Sequence, residues 1–91
     1  MNDIAEAEIT VAPLGSAAWV LAIRYECETH LSLHRDEMGG LEKLAAYCER
    51  MWSLVFMNGE PMPANIHARN ATFFDHAEDA EWHLERVTVT A

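Results

Sequence analysis

Ninety-one residues are enough for one hydrophobic core and too few for two. Fifteen Asp and Glu stand against six Lys and Arg, a formal charge of −9. Direct binding to nucleic acid or to an anionic bilayer is therefore excluded, because both need clustered Lys and Arg, and these residues are scattered singly here.

At 51% hydrophobic, the chain has enough apolar surface to offset the entropy of ordering, so it is read as one acidic α+β domain over residues 1–91. Asp3 and Glu6 stand where a secretory signal would carry Lys or Arg. The longest apolar run, Ala17 to Ile23, is far short of the roughly 20 residues that span a bilayer. Cys27 and Cys48 form neither a CxxC pair nor a dense disulfide scaffold. Together these features predict a reduced, cytoplasmic protein with no membrane partner.

Glu8 to Leu14 alternates weakly and is closed by Pro13 and Gly15-Ser16, which predicts a short edge strand. From Ala18 to Glu26 the period-2 pattern is strong. Trp19, Leu21, Ile23 and Tyr25 share one face, while Val20, Ala22, Arg24 and Glu26 share the other, as in a central strand. Alternation resumes after Glu26-Cys27-Glu28, with Thr29, Leu31 and Leu33 opposite a polar face of His30, Ser32 and His34. A hairpin is the simplest connection, although the turn lacks Asn-Gly or Gly-Gly and one long bent strand is the alternative.

Asp36 is placed to cap a helix whose apolar stripe is Leu41, Leu44, Ala45, Cys48, Met51, Trp52 and Val55, with a stop at Asn58-Gly59. Glu60-Pro61-Met62-Pro63 makes a stiff connector. Asn65 then caps a second helix carrying Ile66, Asn70, Phe73, Phe74 and Ala77 on one face. Glu81 to Thr90 reads as a strand in which Trp82 and Leu84 are out of phase with Val87 and Val89, a mismatch that a bulge near Glu85-Arg86 would reconcile. The order β-β-β-α-α-β predicts a three- to four-stranded antiparallel sheet with two helices packed on one face.

No catalytic, cofactor-binding or metal-binding motif stands out, so no such residue is assigned and the chain is read as a non-enzyme. His30 and His34 have the spacing of a zinc helix, but on a strand four residues span about 13 Å, too far for one ion. Cys48 lies on an apolar stripe, and Cys27 is flanked by carboxylates that disfavour a thiolate. The serines occur in no GxSxG elbow, and the glycines build no phosphate-cradling loop.

The acids are the informative feature. Glu26 and Glu28 lie at the hairpin tip, and Asp75, Glu78, Asp79 and Glu81 form the densest acidic run, between Phe74 and Trp82. If the helix continued, Asp75 and Asp79 would share a face; carboxylates near a helix C-terminus oppose its dipole, so either the helix stops near Asp75 or another demand keeps them there. These six residues are the candidate partner-binding set, for a basic protein surface. Size, net charge and lack of motifs resemble the small accessory inhibitors of phages and plasmids, anti-CRISPR proteins and DNA mimics among them. That resemblance implies docking on a basic, nucleic-acid-handling protein. Two other expectations compete with it: a homodimerising module using Trp19, Trp82 or the edge strand at Ile9 and Val11, and a small enzyme using His and carboxylate groups on the sheet face opposite the helices.

Overall fold

The computed structural model describes residues 17–88. They form β1 (Ala17–Tyr25), β2 (Glu28–His34), α1 (Glu37–Val55), α2 (Ile66–His76) and β3 (Ala80–Thr88). The three strands make one antiparallel sheet in the order β2-β1-β3, an α+β fold with both helices on one face. The expected strand at Glu8 to Leu14 lies outside the described residues, which contain three strands.

β1 occupies the centre because it is apolar on both faces. Leu21 and Ile23 point to the helices and are buried, whereas Val20 and Ala22 point to the other face and stay half-buried. The hairpin joining β1 to β2 has the two-residue turn Glu26-Cys27, with a positive φ of 58° at Glu26. Among the described residues Glu26 is the only non-glycine with this conformation, which a II′-type hairpin turn requires at its first central position and which Gly fills most readily.

Register follows from the turn: Trp19, Leu21, Ile23 and Tyr25 lie beside His34, Ser32, His30 and Glu28, and Val20 and Ala22 beside Leu33 and Leu31. The polar residues of β2 therefore share the helix-side face with the core of β1, and its leucines share the open face. Alternation shows that a strand has two faces; it does not show which is inward when the helices reach only part of the sheet.

On the other side of β1, pairing with β3 is unbroken from Ala17 opposite Thr88 to Tyr25 opposite Ala80, so the expected bulge near Glu85-Arg86 is absent. Trp82 and Leu84 face the helices, and Val87, opposite Ala18, joins the open face. The phase change along β3 thus reflects a sheet with apolar residues on both sides. Val89 lies outside the described residues.

Asp36 caps α1 as its spacing predicts, accepting from the Gly39 amide at 2.7 Å. The helix begins at Glu37, ahead of the Gly39-Gly40 pair. Gly40 lies so close to Leu84 that a Cβ would sit 2.6 Å from its Cδ1, and α1 can therefore rest directly on β3. α1 ends at Val55, with Phe56 as its C-cap, about one turn before the expected Asn58-Gly59 stop. Gly59 does adopt a left-handed φ of 82°, in the turn that follows.

Two hydrogen-bonded clamps hold the proline connector. The Trp52 indole donates to the Glu60 carbonyl at 2.8 Å, and Arg69 Nε donates to the Pro63 carbonyl at 3.1 Å. α2 opens with the Asn65 cap, whose side chain accepts from the Ala68 amide at 3.0 Å.

The core lies between the helices and the sheet, among Leu21, Ile23, Leu44, Tyr47, Cys48, Trp52, Phe56, Phe73 and Ala77. Phe73 is its hub. Its ring meets Tyr25 edge-on at 6.4 Å, Tyr47 edge-on at 6.1 Å, Trp52 at 6.3 Å and Phe74 edge-on at 4.9 Å. These contacts join both helices to the central strand.

Candidate interaction surface

The strand register places Tyr25, the last residue of β1, between Glu28 on one side and Ala80 on the other. The β1–β2 turn and the α2–β3 turn therefore emerge at the same end of the sheet. Glu26 comes from the first, with Glu28 opening β2 beside it; Glu78 and Asp79 come from the second, and Glu81 follows one residue into β3. All five are exposed. Asp75 lies upstream on the last turn of α2, also exposed. Because α2 stops at His76, Asp79 is in a turn, and Asp75 and Asp79 share no helical face.

Tyr25 reports the closeness of the two turns. Its hydroxyl is pushed above the ordinary tyrosine range first by burial, then by the negative charges of Asp79 and Glu26. Tyr47 shifts the same way, chiefly through burial, with the Arg50 guanidinium opposing and Glu28 among the smaller contributors. Arg50 lies 5.3 Å from the centre of the Tyr47 ring. The patch thus has the aromatic neighbours Tyr25 and Tyr47 beneath its carboxylates.

Both helices end here too. The ring of Phe56, the C-cap of α1, stacks 4.4 Å from that of His76 at the end of α2, and Ala77 leads through Glu78 and Asp79 into β3. α1 has no basic residue in its last turn, and α2 has only His76. The negative ends of two helix dipoles therefore add to the carboxylates.

Counter-charge at this end comes from Arg24, His30 and the Arg50 that lies over Tyr47. Arg24 binds Glu81 across the strands, a pair that is 63% and 45% exposed and so contributes little to stability. His30 Nε2 lies 3.6 Å from Glu28 and balances it only when protonated. A cross-strand Arg–Glu pair is a common sheet device, but it becomes visible in the sequence only once the register is known.

The remaining chemical candidates are dispersed. Ser32 Oγ and His34 Nε2 are 2.7 Å apart, a contact between alternate residues of one strand face that the sequence pattern allows but does not announce. His30 and His34 lie on the helix-side face, so the face opposite the helices has His83, with Glu81 and Glu85, as its histidine–carboxylate set. Trp82 packs toward Phe74 at 6.4 Å and is half-buried, as is Trp19. Among the described residues, no group of three or more His, Cys, Asp or Glu is placed to hold a metal ion, and no helix is long and apolar enough to cross a membrane.

The two cysteines separate cleanly. Cys27 is exposed in the hairpin turn, and Cys48 is fully buried, its thiol pushed up to about 12 chiefly by burial. In the unfolded chain Cys48 loses its proton near its ordinary value, while the folded protein keeps it. Stability is therefore unaffected below pH 9 and declines as pH rises from 9 toward 12, by up to about 1.4 kcal/mol per pH unit for one group. The raised Tyr25 and Tyr47 add the same sign above pH 10. Urea titrations at pH 8, 9.5 and 11 should show this decline, and Cys48→Ala should flatten its first part; an unchanged slope would show that Cys48 ionises equally in both states.

No protein-family model, curated protein or solved structure matches this chain.

Proposed function

We propose that this protein is a small acidic interaction module, not an enzyme, that docks the hairpin end of its sheet on a basic surface of another cytoplasmic protein. The form of the role that size and charge fit best is an accessory inhibitor, occupying a site that otherwise handles nucleic acid. One observation carries the reading: Glu26, Glu28, Glu78, Asp79 and Glu81 gather where two helices also end, with Arg24, His30 and Arg50 as the nearby counter-charges. Lys and Arg on a partner would find several carboxylates there at once.

The arrangement works against the fold that carries it. Acids beside helix C-termini are unfavourable, and a non-glycine residue at positive φ costs about 1 kcal/mol. Charges held against such costs are more readily explained by a ligand than by solubility, which carboxylates elsewhere on the surface supply equally well.

Affinity capture from a host lysate tests the proposal, with the wild-type chain and a variant combining Glu26→Lys, Glu28→Lys, Glu78→Lys and Asp79→Lys. The wild type should retain a basic, nucleic-acid-handling protein at low salt and release it as salt rises, and the variant should retain none. Equal recovery by both would place the docking surface elsewhere.

A further inference from the structure

The sheet order β2-β1-β3 gives β2 a neighbour on one side and, among the described residues, no strand on the other. The two-residue turn makes Tyr25 and Glu28 the first hydrogen-bonded pair of the hairpin, so Glu28, His30, Ser32 and His34 turn their backbone groups toward β1. Thr29, Leu31 and Leu33 turn theirs outward. Open edges are usually guarded by Lys, Pro, a bulge or a row of charges, and β3, at the opposite edge, carries Glu81, Glu85 and Arg86. From Thr29 to His34, β2 has no Lys, Arg, Pro or carboxylate, and its pairing with β1 is unbroken. Thr29 and Leu31 are exposed and Leu33 is half-buried. The edge also matches itself. A two-fold axis at Leu31 sets two copies of β2 antiparallel, with Leu31 opposite Leu31, Thr29 opposite Leu33, His30 opposite Ser32 and Glu28 opposite His34. All seven residues of β2 are then paired, each outward N–H meets an outward C=O, and Glu28 meets a histidine in place of another acid. Moving the axis to His30 or Ser32 pairs only residues 28–32 or 30–34, and the second choice sets Glu28 opposite Asp36.

We propose that β2 pairs with β2 of a second copy, joining two three-stranded sheets into one antiparallel sheet across a two-fold axis at Leu31. The dimer uses the strand edge and does not depend on the docking role of the acidic end. Antiparallel pairing keeps the like charges apart: the two Glu28 residues lie about 20 Å from each other, well beyond the screening length of about 8 Å at physiological salt. The chain's own Ile9–Leu14 fits this edge less well. Pro13 has no amide for a ladder, and a strand beyond β2 lies two spacings, about 10 Å, from β1, a gap that the three residues from Leu14 to Ala17 span only when fully straight. An unrelated strand needs its own match to this pattern of leucines and polar residues, whereas a second copy has it by symmetry.

Sedimentation equilibrium of the full chain tests the inference, in about 0.15 M salt so that net-charge repulsion is screened. One strand pair is a small interface, so the mass should rise from one chain toward two between about 1 μM and 1 mM. Amide exchange reads the register. The Thr29, Leu31 and Leu33 amides should gain protection as concentration rises, while those of His30 and Ser32, bonded to β1, stay protected throughout. Leu31→Lys sets two like charges at the axis and should weaken the dimer by about tenfold or more, as should Leu31→Glu. Mixing the two variants should restore a dimer of one chain of each, which a folding defect in either could not do. A chain that stays monomeric across this range overturns the inference, as does a dimer that Leu31→Lys leaves intact or a mixture of the two variants that stays monomeric. Protection of Thr29, Leu31 and Leu33 that does not change with concentration overturns it as well, because the strand on this edge then belongs to the same chain.

Discussion

Phe73→Ala is expected to remove most of the stability of this domain. Phe73 is fully buried and touches four aromatic rings, one on β1, two on α1 and one on its own helix. Truncating such a side chain costs about 3 to 5 kcal/mol, because the transfer term is lost and rigid neighbours cannot close the cavity. A chain of this length has about 5 to 14 kcal/mol in total, and small cores lie toward the low end. The melting temperature should fall by about 15 to 30 °C in thermal unfolding followed by circular dichroism. Leu54→Ala is the matched control: Leu54 is 66% exposed on α1, and its loss should move stability by no more than about 0.5 kcal/mol. Similar losses for both would show that Phe73 is not the hub of the core.

How much of this could be read beforehand depended on whether a local pattern had one physical meaning. The cap residues Asp36 and Asn65 did, since a short polar acceptor ahead of an apolar stripe serves an amide of the first turn and little else. The two faces of β1 were equally plain. Leu31 and Leu33 were ambiguous, because inward and outward differ by one residue of register, and register is set by the turn. That turn uses Glu26 at positive φ, where the familiar signal is glycine, so its type could not be read from residue identity. Val87 was misleading for the same reason: an apolar residue out of phase suggests a bulge only if the outer face is assumed to be polar.

The acidic set divides in a similar way. Acids near one another in sequence, such as Glu78 and Asp79, were visible as a cluster. Their meeting with Glu26 around Tyr25 needed the long-range pairing of Tyr25 with Ala80. Arg24 was equally hidden. Among singly scattered basic residues nothing marks it as the partner of Glu81, which lies opposite it only because β1 and β3 pair without interruption. The net negative charge could thus be counted from composition, whereas its concentration at one end of the sheet is a property of topology.

Glu78→Lys with Asp79→Lys should raise thermal stability while removing the proposed docking. Both residues follow the α2 C-terminus, and the α1 C-terminus adjoins it through the contact of Phe56 with His76. Lysines there would meet the negative ends of two dipoles and the carboxylates of Glu26 and Glu28, turning repulsion into attraction beside two helix last turns that carry His76 as their one basic residue. The melting temperature should rise by about 5 °C at low salt, and the gain should shrink as salt is added. Glu26→Gly should add to it, because glycine holds the positive φ of the hairpin turn without strain. A protein that gains stability from losing its acids holds them for something other than folding. A double-lysine chain that melts at or below the wild-type temperature would mean that these carboxylates make favourable contacts within the fold, and the physical case for a partner at this end would lose its footing.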